Sequence, residues 1–227
     1  MLKLVIGNKI YSTWSIRLLY LLRYGKIPHE EYLIPCFHPD FKAEMVKLSP
    51  SGMVPALIDD ELTVWDSLAI VEYLHEKFPN NGIWPSGTKE RAMARSVASE
   101  IHSGAPKHLG SACSFNLGKI FKIPKVTTNI QSDINQMAEQ IKSIQSQFGT
   151  EGRYLFGEFS AVDSFYAVSF SRIKTYSIEP PKSLKPYMDL LLGHPIFKEL
   201  TNEAHTEGWV IEMAEEDYPV LEDFRAS

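Results

Sequence analysis

Residues 51–74 read SGMVPALIDDELTVWDSLAIVEYL, and the order of features in this stretch decides the fold class. Pro55 to Ile58 and Leu62 to Trp65 are short apolar runs separated by Asp59-Asp60-Glu61, which reads as a β-hairpin. The Val54–Pro55 step enters the first run. A cis peptide there would leave the backbone amide and carbonyl of Val54 outside the ladder, open to an extended peptide; the plain alternative is a proline that merely starts a strand. After Trp65 the period becomes helical, from about Ser67 to Phe78, and Pro79 stops it. Asp66 and Ser67 stand where that helix begins. Either can be a simple cap, and a helix start equally binds a carboxylate.

Toward the N-terminus, Leu2 to Ile6 alternates as a strand and Gly7-Asn8-Lys9 breaks it. From about Trp14 to Tyr24 apolar residues recur at helical spacing, and Gly25 is a natural stop. Between strand and helix lies YSTWSIR, Tyr11 to Arg17. Hydroxyls at a helix start are usually caps; with the free amides of the first turn they also make a site for an anion or a thiolate. Glu31 to Ile34 reads as a second strand and Asp40 to Leu48 as a weaker helix. The order β-α-β-α-β-β-α fills residues 1–80, a plausible small domain of mixed sheet.

Residues 81–87 lie in a turn-rich linker, and from 88 to 227 the strand pattern disappears. Lys89 to about Asn116 reads as a helix bent at Gly104 and Pro106. Thr128 to Phe148 reads as a second, ended by Gly149. Ser160 opens a third through a capping box with Asp163, and Leu184 to Leu192 and Pro195 to Ala204 are shorter.

A net charge of −5, from 23 basic and 28 acidic residues, excludes the basic footprint of a nucleic-acid binder. Glu212, Glu215, Glu216, Asp217, Glu222 and Asp223 thicken near the C-terminus and read as a solvated tail. Cys36 and Cys113 form no CxxC, which fits a reducing compartment. No signal-peptide pattern and no apolar stretch of membrane-spanning length is visible, so the expected location is cytoplasmic and no membrane partner is expected. The seven histidines include no HExxH, and His102 and His108 are six apart, off the i,i+4 spacing; no metal site is expected. A glycine-rich phosphate loop and a GxSxG elbow are also missing.

Taken in order, YSTWSIR, SPSGMVPALID and WDSLAIVEYLHEKFP, followed by ARSVASEIHSG, LFGEFSAVDSFYA and SRIKTY, resemble the cytosolic glutathione transferase family. The resemblance covers nearly the whole chain. It is strongest toward bacterial members with a Tyr-Ser-x-Trp-Ser-x-Arg pattern, and it shares the Ser-x-x-Ser-x-Arg arrangement of the zeta class. It implies a thioredoxin-like α/β N-terminal domain, an all-α C-terminal domain, glutathione as co-substrate, a small electrophilic substrate and a homodimer. By position it puts Ser12 at the thiol, Val54 and Pro55 at the cysteinyl unit, and Asp66 and Ser67 at the γ-glutamyl end. Tyr11 and Ser15 are the other hydroxyls near the thiol; Ser15, one turn into the helix, is expected to cap it. The family often has glutamate or glutamine where Asp66 stands and lysine where Met53 stands. The first change shortens the reach by a methylene and the second removes a positive charge.

The resemblance implies conjugation chemistry of the detoxification type, with the second substrate against the helical half near His102, Ser103 or His108. Two other readings stay open: a zeta-like cis–trans isomerase of the maleylacetoacetate type using glutathione as cofactor, and a non-catalytic binding or regulatory protein of the same fold. Retention of Ser12, Pro55 and Ser67 speaks against the last.

Overall fold

The computed structural model describes residues 1–36, 38–148 and 153–225. Its first half is organised on β1 (Leu2–Ile6), which pairs in parallel with β2 (His29–Leu33) on one side and antiparallel with β3 (Ala56–Asp59) on the other. β4 (Leu62–Trp65) closes the expected hairpin, giving the strand order β2-β1-β3-β4. Asp60, at the turn, takes φ 53°, a left-handed conformation that Asp tolerates because its side chain hydrogen-bonds locally. The parallel β1–β2 pair needs a crossover, and α1 (Thr13–Tyr24) supplies it; α2 (Phe41–Leu48) and α3 (Ser67–Lys77) follow β2 and β4.

The helices of the second half are α4 (Thr88–His102), α5 (Lys107–Ala112), α6 (Thr128–Phe148), α7 (Ala161–Thr175), α8 (Lys185–Gly193) and α9 (Pro195–His205). This is the thioredoxin-like α/β arrangement followed by a helical half. The reading of 89–116 as one bent helix is corrected: the chain breaks after His102, where Gly104 takes φ 115°, and resumes as α5. The second half also carries a small ladder that sequence reading did not anticipate. β5 (Lys119–Phe121) pairs antiparallel with β6 (Val220–Asp223), so the acidic C-terminal segment folds back onto the protein. The expected stop at Gly149 lies outside the described residues.

α1 joins the two halves. Ile16, Leu18, Leu19, Tyr20, Leu21 and Leu22 are all buried, because α1 packs on α3 within its own half and on α7 and α9 of the other. A helix apolar nearly all round has to be enclosed, and each Leu or Ile so enclosed stabilises the fold by about 1.5–3 kcal/mol. α7 is buried along almost its whole length, and the Ser160–Asp163 capping box starts it as expected. The buried Asp163 carboxylate accepts from Ser160 N (2.8 Å), Ser160 Oγ (3.1 Å), Leu155 N (3.2 Å) and Tyr187 Oη (2.5 Å), which makes its burial tolerable. On the surface, Lys9 and Arg23 of the first half reach both Glu31 and Glu203, tying β2 and α1 to α9.

Candidate active site

The turn between β1 and α1 delivers Ser12 to the N-terminus of α1. Ser12 Oγ accepts from Ser15 N at 3.2 Å, so Ser12 is the helix cap; the expectation that Ser15 caps is corrected. Ser15, fully buried, does something different. Its Oγ accepts from Gly7 N at 3.0 Å and stands 2.8 Å from Ser12 Oγ. Either hydroxyl can donate across this pair, because Ser15 Oγ has a second lone pair beside the one taken by Gly7 N–H. In the arrangement where Ser15 donates, Ser12 Oγ accepts from an N–H and an O–H and its own proton is free to donate outward. Ser12 is 7% exposed and lines a cavity of about 540 Å³ in front of the helix.

Gly7 makes this turn possible by close approach. A Cβ there would stand 2.3 Å from Cys36 Sγ and 3.1 Å from a Val54 methyl. The same contact brings Cys36 and Val54 to the wall of the cavity. Val54–Pro55 is cis. Val54 precedes β3 and takes no part in the β1 and β4 registers; Pro55 is buried beside it. His38 and Lys42 complete this side, and Ser114, Phe115 and Arg172 of the helical half face them. Burial pushes the Cys36 thiol above its usual range, so Cys36 is not set up as a thiolate at neutral pH.

Asp66 and Ser67 stand at the start of α3, beyond the lining of that cavity. Asp66 is the cap: its Oδ1 accepts from Leu68 N (2.9 Å) and Ala69 N (3.1 Å), with its backbone at φ 76°. Its other oxygen lies 3.0 Å from His102 Nε2, and Ser67 Oγ lies 3.5 Å from His102 Nδ1. His102 in turn meets Trp14 edge to face at 5.2 Å, so His102 links the α3 start to the first turn of α1. His102 therefore belongs with the α3 start, whereas His108 is held by Asp133 at 3.0 Å. Sequence spacing carried no sign of the His102 contact, because 35 residues separate it from Ser67.

Tyr11 is committed elsewhere. Its hydroxyl donates to Glu215 Oε1 at 2.6 Å, and burial together with that carboxylate pushes its pKa up to about 12. Glu215 also takes Lys119 at 2.5 Å and Arg225 at 3.2 Å, which corrects the reading of this stretch as a solvated tail. Among the described residues no cluster of metal-ligating side chains is present, and no helix is long and apolar enough to cross a membrane.

A family model described as glutathione S-transferase, N-terminal domain, matches residues 11–77, the span holding Ser12, Val54, Asp66 and Ser67. In this span the chain is similar to the N-terminal domain of glutathione S-transferases. It is 28% identical to rat (Rattus norvegicus) maleylacetoacetate isomerase over 77% of each chain. Against glutathione S-transferase Z1 of Arabidopsis thaliana identity is 34%, over 44% of this chain and 48% of the relative. A Burkholderia glutathione transferase homolog, solved with bound glutathione, shares the fold at TM-score 0.64 and 19% identity, covering 89% of this chain and 97% of that one. Within the matched span the chain has a serine at the start of α1, a cis proline step before β3 and two polar residues opening α3.

Proposed function

We propose that this chain is a glutathione transferase in which Ser12 donates a hydrogen bond to the glutathione thiolate for attack on a small electrophile. The observation that supports this reading is that Ser12 caps α1 at the cavity wall with its Oγ 2.8 Å from Ser15 Oγ, so that a hydrogen bond donated from Ser15 to Ser12 leaves the Ser12 proton to donate to a ligand. A thiol with pKa about 8.5 is mostly protonated at neutral pH, and lowering it by two units takes about 2.7 kcal/mol. One hydrogen bond to a charged group, about 1.5–3 kcal/mol, plus a helix-dipole contribution of about 0.3–1 kcal/mol, covers that amount. Ser12 remains a hydroxyl throughout and does not act as a general base.

The donor set suits the tripeptide. Val54, outside the sheet registers, offers its backbone to the cysteinyl unit, and the start of α3 with Asp66 and Ser67 takes the γ-glutamyl end. Lys42 on the same wall supplies positive charge to the glycyl end, where Met53 lacks it. The electrophile lies against Phe115, Ser114 and Arg172 rather than near His108. The protein acts as a cytoplasmic homodimer in this reading. Retention on glutathione-agarose, followed by turnover of a panel of electrophiles, tests it; a chain that neither binds the resin nor accelerates conjugation sinks the proposal.

A second reading is favoured by the 77% alignment with rat maleylacetoacetate isomerase: the same thiolate adding reversibly to a cis double bond and leaving after rotation. Turnover without net consumption of glutathione separates it from conjugation.

A further inference from the structure

Behind Trp14, on the side away from Val54, lies a second cavity of about 420 Å³ between α1, α4, α5 and α7. Thr13, Trp14, Gly110 and Arg172 line both cavities, so the two share a wall. Arg17 opens onto the second. It is 4% exposed, and its Nε and one terminal nitrogen are enclosed without a hydrogen-bond partner among the described residues. Its guanidinium is stacked between the rings of Trp14, 4.5 Å away, and Phe165, 4.7 Å away. Arg172, whose Nε donates to the Cys113 carbonyl at 2.9 Å, brings a second positive charge to the same cavity. The carboxylate whose field reaches Arg17, that of Asp66, is already engaged by His102.

Among the described residues no carboxylate touches either arginine, and only the field of Asp66 offsets the charge of Arg17. Burial, and then the field of Arg172, lower the Arg17 pKa to about 9; burial lowers that of Arg172 to about 10. Both stay positive at neutral pH. Stacking on aromatic faces offsets part of the cost of burial, but it leaves the in-plane donors of the guanidinium unused. A planar oxyanion meets such a fork edge-on and takes two N–H donors at once.

We propose that the cavity lined by Arg17 and Arg172 is a carboxylate pocket that selects second substrates carrying a carboxylate some distance from the electrophilic carbon. This rests on the transferase reading for the reaction at Ser12, but the pocket itself does not depend on glutathione. The shared wall lets one molecule place its electrophilic carbon before Ser12 while its carboxylate reaches past Trp14 to the arginines.

The test compares 4-(bromomethyl)benzoate with 4-(bromomethyl)benzamide, which share a reacting carbon and differ in charge. The thiolate sulfur forms its bond to the benzylic carbon and bromide leaves with the electron pair in both. The wild-type ratio of kcat/KM, acid over amide and each corrected for the uncatalysed rate, is expected to fall at least tenfold in Arg172→Gln and in Arg17→Gln. The KM for glutathione should shift less than threefold. Equal loss for both electrophiles with a raised glutathione KM assigns the arginines to the carboxylate of glutathione itself and overturns the proposal, as does an unchanged ratio. Calorimetric titration of the full chain with benzoate, without glutathione, provides the independent arm: binding weakened at least tenfold by Arg172→Gln supports the pocket even if no conjugation is found. Benzoate that binds neither protein overturns it, and this holds if Arg17→Gln does not fold.

Discussion

His102 Nε2 stands 3.0 Å from Asp66 Oδ2, joining the last residue of α4 to the cap of α3 across the two halves of the chain. Asp66 sits at φ 76°, a conformation that costs a non-glycine residue about 1–3 kcal/mol unless its surroundings hold it. Two helix amides hold one carboxylate oxygen and the imidazole holds the other. The orientation of the α3 start is thus set jointly by the first half and by the end of α4.

This makes His102 a positioning residue. His102→Ala is expected to raise the KM for glutathione several-fold with kcat nearly unchanged. The stability loss should stay near 1 kcal/mol or less, since the pair is partly exposed. His102→Gln, able to donate to Asp66, should restore part of the KM. Steady-state kinetics alongside urea denaturation check it; a KM unmoved by either variant shows the contact to be structural only.

Ser67 is 1% exposed and does not cap α3, since Asp66 does. If its hydroxyl meets the γ-glutamyl carboxylate, Ser67→Ala weakens glutathione binding by about 1.5–3 kcal/mol. Turnover at saturating glutathione should change little, because that contact is present in ground and transition states alike. Calorimetric titration with glutathione provides the check, and unchanged affinity removes Ser67 from the site.

The ion network of Lys9, Arg23, Glu31 and Glu203 predicts an acid-sensitive clasp. Burial works against ionisation of Glu31, yet Lys9 at 2.7 Å and Arg23 at 2.6 Å hold its carboxyl well below the usual range. Glu203 is likewise depressed by Arg23 and Lys9 despite burial. Because both folded pKa values lie below the unfolded value, their stabilisation is fully present above about pH 4.5 and is lost as pH falls below it. The loss should be on the order of 1–2 kcal/mol after allowing for partial exposure. Urea midpoints of the wild type should fall more steeply between pH 5 and about 3 than those of Glu203→Gln; parallel curves reject the clasp.

The Tyr11–Glu215 bond gives a prediction with the opposite emphasis. Tyr11→Phe should leave the pH dependence of conjugation in place, since the hydroxyl is spent on the C-terminal segment. It should lower stability by about 1–2 kcal/mol, the lower part of the range for a hydrogen bond to a charged group. A pH–rate profile moved upward by Tyr11→Phe would instead make the tyrosine the thiolate donor.

What could be read from the sequence was local. The strand-to-helix change at Trp65–Ser67, the hairpin around Asp60 and the capping box at Ser160 depend on neighbours within a few residues, and all appear where their spacing puts them. Features built from distant residues were not legible. Glu215 looked solvated because its partners Tyr11 and Lys119 lie 204 and 96 residues away. β5 and β6 are three and four residues long and pair across about a hundred positions, so neither carries a hairpin signal. Arg17 was read only as part of a motif; that it is stacked and without a partner emerges from the packing of α1 against Phe165 of α7. The division of labour between Ser12 and Ser15 was also hidden, because spacing alone makes either one a cap.

That division predicts unequal effects. Ser12→Ala removes the outward donor, so the pKa of bound glutathione should rise and turnover should fall about 10- to 100-fold, the factor corresponding to 1.5–3 kcal/mol. It also removes the cap of α1, at about 1 kcal/mol of stability. Ser15→Ala leaves the outward donor in place but strips the acceptor from the buried Gly7 N–H. Its main cost should be stability, about 1–3 kcal/mol for a donor left unsatisfied, with turnover reduced less than tenfold. Glutathione affinity should change less than turnover in Ser12→Ala, since most of the tripeptide is gripped by the Val54 backbone and the α3 start. The pH–rate profiles of both variants, with urea denaturation of each, decide the matter. If Ser12→Ala keeps the wild-type profile while Ser15→Ala shifts it upward, the proton runs the other way along the pair and Ser15 is the thiolate partner.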